Sequence, residues 1–195
     1  LEPIAYGNTR ANVSGRNAFG RFLLQGELGL RKLDYEDGLL FGGAGVADQD
    51  FRDYIRYETM GRADYAISPD TAVFARLRLN ERTYDQRPPE VAVLRDSSGY
   101  TVDVGADFDI SGIARGQVGL GYTSQAYDDP SLPDISGASI DGQLEWFPTQ
   151  LTTITFQASR DVDEAPLAGS GGFFRTSAGA RIDHELRRNI ILSSG

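Results

Sequence analysis

Charged side chains recur at every second position in several segments of the sequence. Asp103, Asp107 and Asp109 do so in YTVDVGADFDIS, where apolar or aromatic residues occupy the alternate positions. Neighbouring residues of a strand point to opposite faces, so the pattern predicts one acidic face and one apolar face. A charged face of this kind could attract or filter polar solutes. It could equally form ion pairs that fill and stiffen the interior of a fold.

Basic residues show the same spacing in the neighbouring segments. Arg76, Arg78 and Arg82 alternate with apolar residues before the aspartate segment, and Arg115 follows it. If these segments are adjacent strands, the opposite charges can pair across the sheet. The sequence leaves both interpretations open, a charged lining for solutes and a set of structural ion pairs.

Other reactive groups give weaker signals. His184 is the single histidine, and its neighbour Glu185 would point to the other face of a strand, so no serine-histidine site and no enzyme is predicted. The acidic loop YDDPSLPD carries Asp128, Asp129 and Asp134, and carboxylates can bind Ca²⁺. Its spacing is not that of an EF-hand, and a solvated acidic loop is the favoured interpretation. We predict no metal site and no cofactor.

Composition narrows the class of protein. The 195 residues carry a net charge of -9 and contain no cysteine, which excludes disulfides. No basic patch is present, so nucleic-acid binding is not expected. Glycine is abundant, with 23 residues, and aromatic residues make up 10% of the chain. Together with the alternation, this composition is typical of all-β proteins.

Period-two alternation predicts about ten strands, and turn chemistry predicts how they are joined. The strands are expected at about 4–13, 18–34, 52–67, 71–84, 100–111, 113–127, 138–147, 151–160, 173–185 and from 189 onward. Tight turns are expected at 14–17, 68–71, 111–112, 148–150 and 187–189. Longer loops are expected at about 38–50, 85–98, 128–137 and 161–172.

Tight turns and long loops alternate without exception along the chain. In an up-and-down meander this places all tight turns at one end and all long loops at the other, as in outer-membrane barrels. The sequence therefore predicts an all-β, antiparallel up-and-down transmembrane β-barrel of the outer-membrane type. Residues 1–195 are expected to form a single barrel domain. The parity of the first strand and the unfinished last strand predict that it is a segment of a larger barrel.

The barrel interpretation assigns a role to each face. The polar faces give candidate lumen-lining residues, namely Arg56, Glu58, Arg62, Asp64, Arg76, Arg78, Asp103, Asp107, Asp109, Arg115, Gln117, Asp141, Glu145, Arg181 and Asp183. Aromatic residues near both ends of the apolar faces give candidate membrane girdles, namely Tyr57, Tyr65, Tyr100, Phe108, Tyr122 and Trp146.

Three segments carry a resemblance to a known family. They are the block RDSSGYTVDVGADFDISGIARGQVGLGYTSQAYDDPSLPDISG, then LEWFPTQLTTITFQASRDVDE, and then DHELRRNIIL. They resemble the outer-membrane porins of proteobacteria called putative beta-barrel porin 2. The resemblance implies an outer-membrane barrel made with a signal peptide and about twice this length. Some relatives are associated with exopolysaccharide production and export. The family supplies no catalytic or ligand-binding residues.

Three functional hypotheses follow. The first is a porin-like outer-membrane barrel that passes polar solutes or serves exopolysaccharide export. Its partners would be outer-membrane lipid and lipopolysaccharide, with exopolysaccharide or its export machinery. The second is a non-conducting barrel that anchors loops or partners at the surface. The third is a soluble barrel that binds a lipophilic ligand, with its apolar residues inward and its charges outward.

Overall fold

The computed structural model describes residues 4–39, 45–86, 93, 95–110, 112–164, 172–187 and 189–195. Nearly all of them lie in strands or short turns, which confirms the predicted all-β class. The strands are β1 (Tyr6–Phe19), β2 (Phe22–Tyr35), β3 (Gly38–Leu39), β4 (Val46–Ala47), β5 (Tyr54–Ser68), β6 (Thr71–Tyr84), β7 (Ser97–Ile110), β8 (Ala114–Tyr127), β9 (Ile135–Thr149), β10 (Thr152–Glu164), β11 (Gly172–Arg187) and β12 (Ile190–Ser194). A 3₁₀ turn, Asp50–Arg52, precedes β5.

Ten strands form one antiparallel sheet in which each strand pairs with its neighbours in the chain. The order is β1-β2-β5-β6-β7-β8-β9-β10-β11-β12, and β3 and β4 form a separate two-stranded hairpin. This confirms the predicted up-and-down arrangement. β1 and β12 stand at the two ends of the order, so the described residues form an open sheet.

The connections lie at opposite ends of the sheet, as predicted. Tight turns join β1 to β2, β5 to β6, β7 to β8, β9 to β10 and β11 to β12, and we call this side the turn end. Longer segments join the other pairs at the side that we call the loop end. Parts of three predicted loops and of two predicted turns, residues 40–44, 87–92, 94, 165–171, 111 and 188, lie outside the described residues.

The first turn differs from the prediction. We expected it at residues 14–17, whereas these residues lie inside β1 and the turn falls at Gly20 and Arg21. Gly20 has a φ of 60°. Glycine at the first central position with positive φ is the requirement of a type II′ hairpin turn, whose twist matches that of the flanking strands. Ser14 and Arg16 therefore continue the polar face of β1.

Gly20 should tolerate no side chain without strain. We expect Gly20→Ala to lower the free energy of unfolding by about 1–2 kcal/mol, because a Cβ is disfavoured at this left-handed φ. Gly15→Ala is the matched control, since Gly15 lies inside β1 of the same hairpin, with open space around its Cβ position. Urea unfolding followed by circular dichroism measures both variants. Equal stability of the two would contradict the turn assignment.

The distribution of burial is inverted relative to a water-soluble sheet protein. Asp53, Asp64, Arg95, Thr101, Asp103 and Thr123 are buried, whereas Leu28, Val102, Val104 and Leu120 are exposed. The alternation in the sequence therefore resolves into a covered polar face and an uncovered apolar face. No helix among the described residues is long and apolar enough to span a membrane.

The sheet curves so that its polar face is concave. Arg62 on β5 donates a hydrogen bond of 2.7 Å to Gln117 on β8, across the two intervening strands. In a flat sheet those strands would be about 14 Å apart, since neighbouring strands are about 4.8 Å apart. Arg76 on β6 reaches Asp141 on β9 in the same way, at 3.1 Å. Curvature of this size brings charged residues of β5, β6, β7 and β9 together with Gln117 of β8.

Candidate functional site: the polar groove

Asp103 is the centre of the charged cluster on the concave face. Its side chain is 1% exposed, and Arg76 donates to its carboxylate through both Nε and Nη2, at 2.6 to 3.1 Å. Arg78 donates to the same carboxylate at 3.3 Å. Arg76 lies directly opposite Asp103 in the register of β6 and β7. Two guanidinium groups therefore neutralise one buried carboxylate.

Arg62 is the second centre of the cluster. Its guanidinium donates to Asp64 at 2.6 Å and also contacts the carboxylate of Asp107. Gln117, which Arg62 also reaches, donates in turn to Asp141 at 2.9 Å. We call the connected charges the ion-pair belt, which consists of Arg62, Asp64, Arg76, Arg78, Asp103, Asp107 and Asp141. Its members come from four strands, β5, β6, β7 and β9.

Phe74 is an apolar residue inside this polar network. It is 4% exposed, and the Arg62 guanidinium carbon lies 3.9 Å from the centre of its ring. A Cβ on Gly105 would lie 2.5 Å from the ring, and one on Gly119 would lie 3.3 Å from it. The two glycines therefore leave the space that the ring fills. A cation over an aromatic face is a favourable contact, most of all away from water.

The ion-pair belt lies between two compartments of the polar groove, which share Ser159 and Ser177 in their linings. The compartment at the loop end has a volume of about 660 Å³ and is lined by residues of strands from β2 to β11. The compartment at the turn end has a volume of about 870 Å³. Arg76 lines the first compartment and Asp141 lines the second, so their ion pair stands at the boundary.

The two compartments differ in charge. The turn-end lining contains Asp107, Asp109, Asp141 and Glu145, with Arg115 as its single basic residue. The loop-end lining contains more basic than acidic side chains, namely Arg56, Arg76, Arg78, Arg82 and Arg175 against Glu27, Glu58, Asp161 and Asp163. The groove therefore has an acidic end and a mixed end with a basic excess.

The remaining predicted polar residues lie on the same face in local pairs. Arg56 pairs with Glu58 at 2.6 Å near the loop end. Arg115 pairs with Glu145 at 2.7 Å, and Arg181 pairs with Asp183 at 2.9 Å, both nearer the turn end. These pairs are partly exposed, and exposed pairs contribute little to stability. These pairs therefore contribute more to the charge of the polar face than to the stability of the sheet.

The predicted aromatic residues lie on the opposite, apolar face. Tyr57, Tyr65, Tyr100, Tyr122 and Trp146 are exposed, and Phe108 is half-buried. Phe19 and Phe22, which flank the first turn, were not among the predicted girdle residues. Their rings are 5.8 Å apart, and Phe22 lies 5.0 Å from Tyr65. Two aromatic residues on either side of a turn at Gly20 are the sequence signal that could have identified them as girdle residues.

Two carboxylates of the acidic loop, Asp129 and Asp134, accept hydrogen bonds from nearby residues of the chain. Asp129 accepts hydrogen bonds from the backbone and hydroxyl of Ser131, and Asp134 accepts one from the backbone of Tyr127. Among the described residues, the group of acidic side chains within mutual metal-binding reach is instead Asp37, Asp48 and Asp50.

Asp50 lies beside other carboxylates, and His184 lies beside a threonine hydroxyl. Burial raises the pKa of Asp50, and the neighbouring carboxylates of Asp48 and Asp37 raise it further. The Nδ1 atom of His184 lies 2.9 Å from the hydroxyl of Thr152, its partner across β10 and β11. The histidine is exposed at the turn end, and among the described residues this hydroxyl is the hydrogen-bond partner of its ring.

The comparisons with known proteins agree with this architecture. A family described as putative beta-barrel porin 2 matches residues 1–195. No curated protein and no solved structure matches the chain. The family match covers every strand of the sheet, both compartments of the groove and the ion-pair belt. The chain therefore belongs to the putative beta-barrel porin 2 family.

Proposed function

We propose that this chain forms the wall of an outer-membrane channel that admits polar solutes. The observation that carries the proposal is the inverted burial, with Asp103 covered inside the groove and Val104, its neighbour in the strand, exposed on the outside. A charged concave face suits a water-filled lumen, and an uncovered apolar face suits the hydrocarbon of a bilayer. The exposed tyrosines and Trp146 suit its two interfaces.

Conductance in planar bilayers tests the proposal. We expect the purified protein to produce discrete current steps, because solvated charges line both compartments of the groove. A preparation that inserts into vesicles but carries no current would overturn the channel and leave the membrane barrel intact. Protein that stays in the soluble fraction without detergent would instead support the soluble ligand-binding barrel.

A non-conducting barrel is the second candidate, and the ion-pair belt favours it. Arg62 and Arg76 bridge strands that are not neighbours, and the bond from Arg76 to Asp141 stands between the two compartments. If these side chains occupy the lumen, they would block it. Arg76→Ser, which shortens the bridging side chain, should then convert a silent barrel into a conducting one.

Exopolysaccharide export is a narrower form of the first candidate. The support for it is the family resemblance together with a groove rich in carboxylate, guanidinium and amide groups, which can all hydrogen-bond to sugar hydroxyls. A comparison of polysaccharide secretion by cells with and without the gene tests this narrower proposal. Unchanged secretion in the deletion strain would remove this narrower form and leave the channel proposal standing.

A further inference from the structure

Four arginines lie opposite one another on four neighbouring strands. The register pairs Arg10 of β1 with Arg31 of β2, Arg31 with Arg56 of β5, and Arg56 with Arg82 of β6. Residues opposite each other in a sheet point to the same face. Arg56 and Arg82 line the loop-end compartment, so all four belong to the polar face. We call them the arginine row. It spans about 14 Å, at about 4.8 Å per strand.

Three arginines of the row, Arg10, Arg31 and Arg56, are only partly neutralised by the described residues. Arg10 and Arg31 both donate to the amide oxygen of Asn8, at 3.3 and 3.4 Å, and this group carries no charge. Arg56 has the carboxylate of Glu58, but its buried Nε has no partner among the described residues. Like charges placed directly opposite each other destabilise a sheet. A row that persists in this form is suited to an anion from outside the chain.

The surroundings of the row suit an extended ligand. One step toward the turn end, the register aligns Asn12, Gly29, Glu58, Asn80, Gly99 and Gln125. The side-chain amides of Asn12, Asn80 and Gln125 can donate and accept hydrogen bonds, and Glu58 is the carboxylate that pairs with Arg56. The side chains of Asn12 and Gln125 lie over Gly29 and Gly99. Toward the loop end, the Tyr54 ring lies 5.0 Å from the Arg82 guanidinium carbon and supports it.

The residue beyond Arg82 in the register is a buried serine whose hydroxyl has no hydrogen-bond partner among the described residues. It is Ser97 of β7, which lies opposite Arg82 and is 3% exposed. Ser97 also lines the loop-end compartment. A buried hydroxyl without a partner costs free energy, so a ligand that bonds to it would recover that cost.

We propose that the arginine row binds a soluble oligomer that carries oxyanion groups along its length, either carboxylates or phosphates. This inference rests on the proposed channel and names the class of solute that enters at its loop end. A guanidinium can bind either oxyanion through two parallel hydrogen bonds. The carboxylates of Asp161 and Asp163 line the other side of the compartment and would repel an anion. The ligand therefore lies along the arginine row and does not occupy the whole compartment.

Binding and current block together test the inference. The probes are an oligogalacturonate, a polyphosphate and a neutral maltooligosaccharide, each titrated into detergent-solubilised protein by calorimetry and added to the loop-end side of a bilayer. The test variant is Arg10→Gln with Arg31→Gln, which leaves every carboxylate pair of the wall intact. The control variant is Arg16→Gln with Arg21→Gln, the same charge change at the turn end of the same β1–β2 hairpin.

We expect one or both anionic probes to bind and the neutral probe not to bind. Loss of Arg10 and Arg31 should weaken binding at least about tenfold, because each arginine would supply charge-assisted hydrogen bonds to the oxyanions of the ligand. Block by oligogalacturonate alone assigns a carboxylate oligosaccharide, and block by polyphosphate alone assigns a phosphate oligomer. Equal affinity in the test and control variants, or binding of no anionic probe, overturns the inference. Binding without current overturns the channel and leaves the anion site standing.

Discussion

Replacing Asp103 by asparagine is expected to lower the free energy of unfolding by about 3–5 kcal/mol, the cost of breaking a buried ion pair from one side. Asparagine keeps the volume of aspartate and removes its charge. Arg76 and Arg78 would then keep their positive charges on a covered part of the wall, with Asp141 as the remaining carboxylate that contacts Arg76. Urea unfolding in detergent, followed by circular dichroism, measures the loss.

Asp109→Asn is the matched control for this substitution. Asp109 lies on the same strand and the same face as Asp103, six residues further toward the turn end, but its side chain is exposed. We expect its replacement to change stability by less than about 0.5 kcal/mol, as for most surface substitutions. If both variants lost the same stability, burial of Asp103 would not be the reason for its importance.

A double variant separates the charge imbalance from the loss of hydrogen bonds. Arg76→Gln added to Asp103→Asn removes one positive charge together with the negative one, and should recover part of the lost stability. Arg78 would still lack its carboxylate partner, so recovery should be incomplete. A double variant less stable than Asp103→Asn alone would show that Arg76 stabilises the wall through Asp141 instead.

The faces of the sheet follow directly from the sequence. Alternation has a period of two, and a shift of one residue would turn every side chain to the other face, so the pattern determines which side chains share a face. A shift of two residues keeps the faces, so the sequence predicted that arginines and aspartates of neighbouring strands could pair, but the pairing of Arg76 with Asp103 came from the structure. The alternation of tight turns and long loops also predicted which connections lie at each end of the sheet, because each strand runs opposite to the one before it.

The first turn shows where local turn chemistry misleads. Ser14, Gly15, Arg16 and Asn17 have the residue types of a turn, but they also continue the alternation of β1 as far as Phe19. Gly20 satisfies the backbone requirement of the hairpin that forms. Serine and asparagine are common both in turns and on the polar face of a wall, so composition alone does not distinguish the two.

The ion-pair belt and the arginine row depend on information that single strands do not contain. The bond from Arg62 to Gln117 requires a sheet curved enough to bring β5 near β8, and the alternation is the same in a flat sheet. The arginine row depends on three strand pairings, β1 with β2, β2 with β5, and β5 with β6. An error in the predicted register of any one pairing would break the row. Arg31 and Arg10, which complete the row, were therefore absent from the predicted lining, whereas Arg56 was included.

Phe74→Ala is expected to lower the free energy of unfolding by about 3–5 kcal/mol, the usual cost of deleting a buried aromatic ring. The ring occupies the gap above Gly105 and Gly119, where no other side chain can move in from the same strand positions. Its loss would also remove the surface on which the Arg62 guanidinium rests, and that guanidinium holds Asp64 and Asp107. Urea unfolding measures this loss as well.

Phe74→Leu distinguishes the filling of space from the contact with a cation. Leucine keeps most of the apolar volume but offers no π face to Arg62, so it should recover more than half of the stability lost in Phe74→Ala if packing dominates. The remainder, about 0.5–2 kcal/mol, would then measure the cation–π contact. Phe74→Leu as unstable as Phe74→Ala would mean that the ring acts mainly through Arg62. The apolar residue at the centre of the polar groove would then serve chiefly to fix the geometry of the charges around it.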